Sequence, residues 1–126
     1  MQHRQRVHSG SPYEARIGFS RAIAVGDRVI VSGTAPVWPD GGCDPGADVQ
    51  ARRCFAIIEH ALTEAHSSLA NVVRTRMFII DPADADAVGR VHGEVFAEVR
   101  PASTMVVVSA LLDPRWKVEI EAEAQT

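Results

Sequence analysis

Apolar and polar residues alternate most regularly near the end of the chain, between positions 116 and 124. A strict period of two is typical of a β-strand whose two faces meet different surroundings. We expect the apolar face to lie under helices and the charged face to point away from them. The apolar set is Trp116, Val118, Ile120, Ala122 and Ala124, and the charged set is Lys117, Glu119, Glu121 and Glu123.

Four more runs have the composition of strands, and the last of them lies within residues 100–108, before the alternating run. Residues 22–25 and 28–32 are separated by Gly26 and Asp27, a pair that suits a two-residue hairpin turn because glycine accepts a positive φ. Residues 72–80 are β-branched and apolar, with Arg74 and Arg76 at alternate positions. Both guanidinium groups then lie on one side of the sheet, where they are the available partners for the carboxylates of residues 119–123.

A first amphipathic helix is predicted at about residues 46–66, where apolar positions recur at helical spacing. Asp44 and Pro45 precede it, and we expect them to cap and open the helix. The residues predicted on its apolar side are Val49, Phe55, Ile58, Leu62 and Ala65.

A second helix is predicted to begin at Asp81 and Pro82, an N-cap residue followed by a proline that fits the first turn. Its apolar positions recur on one side, which should lie on a sheet. The residues on that side are Ala87, Val88, Val91, Val95 and Val99.

The predicted order is β-β-α-β-α-β-β, which indicates an α+β protein with two layers. Two helices, each with one apolar stripe, should cover one face of a mixed sheet. The other face must then meet water or another subunit. We expect a flexible N-terminus over residues 1–12, followed by a single domain over residues 13–126.

Composition and charge narrow the class of protein. The chain has 126 residues and a formal net charge of −3, which argues against a protein that holds nucleic acid through clustered Lys and Arg. The longest apolar runs fall well short of a membrane span, and the first residues lack the apolar core of a secretory signal. Two cysteines, Cys43 and Cys54, show no disulfide or metal-ligand spacing, which favours a reduced cytoplasmic protein.

Five short motifs, in order along about residues 13–124, together resemble one known family, the RidA (YjgF) family. They are the turn Ser32-Gly33-Thr34-Ala35-Pro36, the helix start Gln50-Ala51-Arg52, the strand entry Ser68-Leu69-Ala70-Asn71-Val72-Val73, the phrase Arg100-Pro101-Ala102-Ser103-Thr104, and Val118-Glu119-Ile120-Glu121-Ala122.

The resemblance implies a chorismate-mutase-like fold that assembles as a homotrimer, with the sheets inward, the helices outward, and a small-molecule cleft at each subunit interface. Well-studied members hydrolyse reactive enamines and imines to a 2-oxo acid and ammonia. They use no metal and no cofactor. The resemblance therefore implies a deaminase-like hydrolase whose partners are a small molecule and further copies of itself.

The chain departs from the family where the substrate is held. The deaminases bind the substrate carboxylate with an arginine in a Pro-Ala-Arg-Ser phrase, and that position is Ser103 here, while Met105 stands where a cysteine is usual. Glu119 keeps the candidate catalytic carboxylate, and Gly33 keeps the turn that lines the ligand. By this comparison the chain is a divergent member without the substrate-anchoring arginine. Whether another arginine takes over stays open, and the candidates are Arg74, Arg76, Arg100 and Arg115.

Apolar walls for the cleft are expected from Tyr13, Phe19, Trp116 and Met105, and Ser103 is expected to line the pocket with a hydrogen-bonding hydroxyl. The resemblance implies three candidate functions. The leading one is hydrolysis of an imine or enamine with Glu119 as general acid and base. The alternative is a trimer that binds or senses a neutral metabolite without turnover, and ribonuclease activity ranks below both because the chain is acidic.

Overall fold

The computed structural model describes residues 4–126, which form one six-stranded mixed sheet with helices on one face. Across the sheet the strand order is β1-β2-β3-β6-β4-β5, and β4 and β5 run parallel to each other. The predicted α+β fold is confirmed. The strands are β1 (Arg4–Val7), β2 (Ala22–Val25), β3 (Arg28–Thr34), β4 (Val72–Ile79), β5 (Ala102–Val107) and β6 (Val118–Gln125). The helices are α1 (Pro12–Ile17), α2 (Ala47–Glu64) and α3 (Ala85–Val95).

Strand β6 lies in the middle of the sheet, between β3 and β4. The alternation predicted from its sequence is confirmed, since Val118, Ile120, Ala122 and Ala124 are all buried beneath the helices. The glutamates between them are half-buried on the opposite face, which is called the open face below. One strand therefore supplies both the floor of the core and a row of carboxylates.

Arginines of the neighbouring strands meet these carboxylates. In the register of β4 and β6, Arg76 stands opposite Glu121, and its Nε lies 3.2 Å from Glu121 Oε1. Arg74 stands opposite Glu123, yet Glu123 Oε2 pairs with Arg28 of β3 at 2.8 Å. One of the two expected cross-strand ion pairs is thus present, and the second carboxylate is paired from the other side.

The predicted hairpin of β2 and β3 is confirmed, with Val25 opposite Arg28 and Gly26 at a φ of +61°. Its register places Ala22 opposite Val31, both buried on the helix-covered face. Arg21, one residue earlier, therefore projects to the open face beside β3.

The start of the chain differs from the prediction, which placed no regular structure before residue 13. Strand β1 pairs antiparallel with β2, and α1 begins at Pro12 after an N-cap at Ser11, whose Oγ accepts the Tyr13 N–H. Buried Glu14 accepts the Ser9 N–H at 3.2 Å. These contacts depend on distant strands and side chains, so local patterning does not reveal them. Residues 1–3 of the predicted flexible segment lie outside the described residues.

Helix α2 begins later than the sequence suggests. Its N-cap is Gly46, and Asp44 instead accepts a hydrogen bond from the Trp38 Nε1–H at 2.8 Å. Val49, predicted on the apolar side, is 44% exposed, whereas Gln50 beside it is fully buried. The remaining predicted residues, Phe55, Ile58, Leu62 and Ala65, are buried as expected. The prediction was wrong at Val49 because the buried position has a polar structural role.

The start of the second long helix is confirmed. Asp81 Oδ1 accepts the Ala83 N–H at 2.9 Å, a single 3₁₀ turn follows at Pro82–Asp84, and α3 continues from it. Helices α2 and α3 pack against each other, and α2 lies on β3 and β6. Within residues 4–126, none of the helices has the length and apolarity needed to cross a membrane.

Candidate functional site

A β-bulge interrupts β3 at Gly33. Val31 pairs with Ala122 and Thr34 with Ile120, so Ser32 and Gly33 together stand opposite one residue of β6. Such bulges redirect neighbouring side chains and often lie next to active sites. The Thr34 hydroxyl donates to the Ser32 carbonyl at 2.8 Å, and the buried Cys54 thiol donates to the Thr34 carbonyl at 3.2 Å. The bulge is therefore fixed by the side chains around it.

The carboxylate of Glu119 lies directly over Gly33. A Cβ built on Gly33 would overlap Glu119 Oε2 and lie 3.3 Å from Cδ. The glycine predicted as a turn residue thus has a second role, because its missing side chain leaves the space that the carboxylate occupies. Glu119 and Gly33, both predicted as site residues, are in contact.

Arg21, which immediately precedes β2, reaches the same glycine. Its Nη2 donates to the Gly33 carbonyl at 2.6 Å, and its guanidinium carbon lies 5.8 Å from the centre of the Phe19 ring. Its Nε is buried and has no hydrogen-bond partner among the described residues. Arg21 therefore brings a largely desolvated positive charge to the edge of the Glu119 site.

The electrostatics of the site follow from burial. Burial raises the pKa of Glu119, the charge of Arg21 lowers it, and Glu121 raises it again. Burial also lowers the pKa of Arg21, against the attraction of Glu14 and Glu119. A carboxyl whose pKa moves toward neutrality can both give and take a proton, as general acid–base catalysis requires.

One aromatic ring stands opposite Glu119 in the sheet, and another lies beside Arg21. Phe19, predicted as part of a ligand wall, is half-buried beside Arg21. Phe78 of β4 stands directly opposite Glu119 in the sheet register and is half-buried on the same open face, and Val106 of β5 follows Phe78 in the same row. The open face thus offers an apolar strip that begins at Glu119.

Buried Gln50 fixes the segment that leads into β6. Its Nε2 donates to the carbonyls of Asp44 at 2.7 Å and Arg115 at 2.9 Å, and its Oε1 accepts the Lys117 N–H at 2.7 Å. A single amide side chain therefore ties the loop before α2 to the chain two residues ahead of Glu119. This connection positions the carboxylate from the helix side.

Ser103 and Met105 do not lie beside Glu119 within one chain. Ser103 is opposite Thr75 in the parallel register, and the two hydroxyl oxygens are 2.8 Å apart. Thr75 is fully buried on the helix-covered face, so Ser103 points to that face and Glu119 to the other. Met105 has the same orientation as Ser103, since it is two residues further along β5. The predicted site residues therefore fall into two groups separated by the sheet.

A hydrogen-bonded chain continues inward from Ser103. Thr75 Oγ1 is 2.8 Å from Nε2 of His92 on α3. The His92 ring packs at 4.8 Å from Phe96 and at 5.8 Å from Phe55, measured between ring centres. Burial lowers the pKa of His92. Ser103 is thus connected, on the helix-covered face, to an imidazole of α3.

The other predicted wall residues lie apart from Glu119. Tyr13 is on α1, 44% exposed, with the Arg16 guanidinium 5.2 Å from its ring centre. Trp116 is buried just before β6, and its Nε1 has no hydrogen-bond partner among the described residues.

The four arginines considered as replacements make other contacts or lie on exposed surface. Arg115 pairs with Asp113 through Nη2 at 2.9 Å, and Arg76 pairs with Glu121. Arg74 and Arg100 are exposed.

Arg21 and Phe78 are the site residues that sequence reasoning missed. A signal for Arg21 was present in the hairpin: the two-residue turn after Val25 makes Arg21 the partner of Ser32, next to Gly33. Strand alternation then places Arg21 on the face opposite buried Ala22. Phe78 follows from the same alternation, two positions beyond Arg76 on the open face. The bulge at Gly33, which brings these groups together, has no comparable signal.

The fold and site define an α+β protein with helices on one face of its sheet and a half-buried acid at a glycine bulge on the other. Comparison with known proteins agrees. The sequence profile of the family described as Endoribonuclease L-PSP matches residues 10–126. A crystal structure from Mycobacterium tuberculosis, a member of the YjgF/YER057c/UK114 family, superimposes with a TM-score of 0.91 at 40% identity, covering 98% of this chain and 100% of that one. This chain belongs to the RidA (YjgF) family.

Two relatives in sequence give further context. An uncharacterized protein of Streptomyces coelicolor is 43% identical over 123 residues, which cover 95% of this chain and 90% of that protein. The 3-aminoacrylate deaminase RutC of Acinetobacter baylyi is 35% identical over 98 residues, covering 76% of this chain and 77% of that protein.

Proposed function

We propose that this protein hydrolyses a reactive imine or enamine, with Glu119 as the general acid and base. The observation that carries the proposal is the half-buried Glu119 carboxyl, held over Gly33 with its pKa raised by burial. The similarity to a 3-aminoacrylate deaminase supports this reaction type, because that substrate is itself an enamine.

The proposed reaction needs only water and one titrating group. Protonated Glu119 gives its proton to the imine nitrogen, and the resulting carboxylate takes a proton from water as the water oxygen bonds to the imine carbon. Glu119 then protonates the amine nitrogen of this adduct. The C–N bond breaks as the C=O bond forms, ammonia leaves, and the hydroxyl proton returns to Glu119. The products are a carbonyl compound and ammonia.

The cleft around Glu119 is proposed to be completed by another copy of the chain, in a homotrimer. Helices leave the open face uncovered, and it presents apolar groups beside its ion pairs, including Val106, which is 42% exposed. On edge strand β5, Val107 is 52% exposed. A partner's β5 placed against this face would bring the second group, Ser103 and Met105, toward Glu119. Phe19 and Gly33 would line the ligand from one side, with Tyr13 and Trp116 as further wall candidates.

The family profile carries the description of an endoribonuclease, which is a weaker candidate for this chain. The net charge is −3, and three glutamates line the open face around the site. Phosphate groups bind through clustered basic residues that are free to contact them, whereas Arg28 and Arg76 of this face are already paired with Glu123 and Glu121. Imine hydrolysis agrees better with the charges present.

Ammonia release from a panel of imines and enamines, generated in place by amino-acid oxidases, tests the proposal. Wild-type protein should accelerate hydrolysis above the buffer rate, and Glu119→Gln should remove most of the acceleration, by about 100-fold or more for a lost acid–base group. Glu59→Gln, on the exposed side of α2, is the control. A panel that shows ligand binding but no turnover would instead support the metabolite-binding alternative.

Light scattering tests the assembly. The wild type should have three times the 13.6 kDa mass of one chain. Val106→Asp should lower that mass, because it places an unpaired carboxylate against the partner at an apolar contact. Val49→Asp, an exposed change on α2, should leave the mass unchanged. A wild-type monomer with full activity would contradict a cleft shared between copies.

A further inference from the structure

The guanidinium of Arg21 has unused binding capacity beside the proposed catalytic acid. One of its five N–H donors serves the Gly33 carbonyl, and the buried Nε has no partner in residues 4–126. A buried donor without a partner is costly, and native structures normally satisfy it. Since this N–H lies at the site itself, we expect a further hydrogen-bond acceptor there to satisfy the Arg21 guanidinium.

The charge of Arg21 is also uncompensated by contact. Among the described residues no ion pair joins it to a carboxylate, although Glu14 and Glu119 both act on it from greater distance. Other arginines of the open face, Arg28 and Arg76, are paired with glutamates. Arg21 is thus a partly buried cation that contacts Gly33, acts on Glu119, and has no carboxylate in contact among the described residues.

We propose that Arg21 is the specificity-determining residue of this site and binds the carboxylate of the substrate. The inference rests on the proposed imine hydrolysis. A guanidinium fork is suited to a planar carboxylate, and both groups meet at Gly33, so the imine carbon of a small 2-imino acid would lie next to Glu119. Arg21 thereby supplies, from the position before β2, the positive charge that Ser103 does not supply from β5.

Occupancy by a carboxylate has a consequence for Glu119. The positive charge of Arg21 now favours the ionised form of Glu119. A bound carboxylate offsets that charge, so Glu119 retains its proton more readily with substrate present. The acid that protonates the imine nitrogen is therefore favoured by the same contact that positions the substrate. Substrates without a carboxylate gain neither effect.

A matched pair of substrates tests this role. 2-Iminopropanoate, formed in place by oxidation of alanine, is compared with propan-2-imine, in which a methyl group replaces the carboxylate. Arg21→Gln should lower kcat/KM for 2-iminopropanoate on the order of 10- to 100-fold and leave propan-2-imine within about twofold, as expected for loss of one charge-assisted contact. Arg21→Lys should recover part of the loss. Arg90→Gln, which removes an exposed arginine from α3, should change neither substrate.

An equal loss of kcat/KM on both imines would overturn the proposal, because Arg21 would then only support the structure around Gly33. An unchanged kcat/KM on both imines would overturn it as well. If the wild type hydrolyses neither imine, the proposed reaction fails and binding decides the role of Arg21. Calorimetry with pyruvate, the carbonyl product of 2-iminopropanoate, should then show about 10-fold or more weaker binding to Arg21→Gln than to Arg90→Gln. Equal pyruvate affinities would overturn the proposal independently of catalysis.

Discussion

The carboxylate of Glu119 occupies the space that a side chain at position 33 would fill. Two strands create this relationship: β6 projects the acid to the open face, and the bulge in β3 brings the glycine backbone beneath it. The sequence shows a turn glycine and a strand glutamate. Because the two residues are in contact, the Glu119 carboxylate can hold this position only if residue 33 has no side chain.

Gly33→Ala should therefore damage activity more than stability. The new Cβ would overlap Glu119 Oε2, but that oxygen is the far end of a flexible side chain and can swing aside, so the loss of stability should be at most about 1 kcal/mol, the low end of the usual range for overpacking. Chemical denaturation measures that loss, and kcat on an accepted imine should fall as the carboxylate is displaced. Gly93→Ala on α3 is the matched control, since no atom lies within 4 Å of its added Cβ. It should stabilise the protein by about 0.5–1 kcal/mol, the usual difference between alanine and glycine inside a helix. Equal effects of both changes would contradict the contact.

Glu119→Gln should make the protein more stable at neutral pH. Burial raises the pKa of Glu119, so the folded chain binds this proton more tightly than the unfolded chain does. The stability associated with the proton is complete below the unfolded pKa of about 4.5 and is lost as pH rises through the folded pKa. Glutamine at position 119 cannot ionise, so the variant does not lose this stability as pH rises. The melting temperature of Glu119→Gln should exceed that of the wild type at pH 7, and the two should converge near pH 4.

The exposed Glu59→Gln serves as the control for this pH series. Its side chain lies on the outer surface of α2, so the melting temperature should follow the wild type at each pH. A constant difference between Glu119→Gln and the wild type from pH 4 to pH 7 would mean that titration of Glu119 is not its cause.

Sequence pattern predicted those parts of the fold that depend on local periodicity. Alternation in residues 116–124 identified the buried and charged faces of β6, and the Gly26–Asp27 turn gave the hairpin. Asp81 and Pro82 gave the start of the second long helix. These features succeed because a period of two, a tight turn and an N-cap are each determined by neighbouring residues.

The features of the fold that were predicted wrongly or missed depend on contacts between residues that are distant in sequence. Strand β1 exposes two arginines and buries a single apolar residue, Val7, so it is held mainly by pairing with β2 and has no hydrophobic stripe. Val49 was placed inside because it is apolar, while Gln50 is buried because three backbone groups need its amide. Of the predicted site residues, Glu119 and Gly33 lie in contact, and Arg21 joins them only through the hairpin register and the bulge.

Gln50→Met should be strongly destabilising. Methionine matches the length of glutamine but leaves the Asp44 and Arg115 carbonyls and the Lys117 amide without their partner. A buried group left unpaired costs about 1–3 kcal/mol, so we expect a loss of about 3 kcal/mol or more for the three together. Urea unfolding measures it. Activity should also fall, because Lys117 enters the strand that carries Glu119.

Gln5→Met provides the comparison for this change. The Gln5 amide donates one exposed hydrogen bond, to the Glu64 carbonyl at 3.2 Å, and water can replace it. We expect a loss below about 1 kcal/mol, in the range of a single solvent-accessible hydrogen bond. Similar losses of unfolding free energy for Gln5→Met and Gln50→Met would show that the buried Gln50 amide does not stabilise the contact between the loop before α2 and the segment leading into β6.

His92→Phe should change how stability depends on pH. Burial lowers the pKa of His92, so between the ordinary value of 6.5 and the folded value the unfolded chain binds more protons than the folded chain. The wild type therefore loses stability as pH falls through this window, and phenylalanine, which keeps the ring packing against Phe96, removes that part of the slope. Unfolding free energies from pH 7.5 to 5 should show the wild type falling more steeply than His92→Phe. His92→Gln separates the effect of titration from that of the hydrogen bond, since glutamine does not titrate yet can still bond to Thr75. It should share the shallow pH slope of His92→Phe and lose less unfolding free energy than His92→Phe at pH 7.5. Parallel curves for the wild type and both variants would exclude His92 as the titrating group.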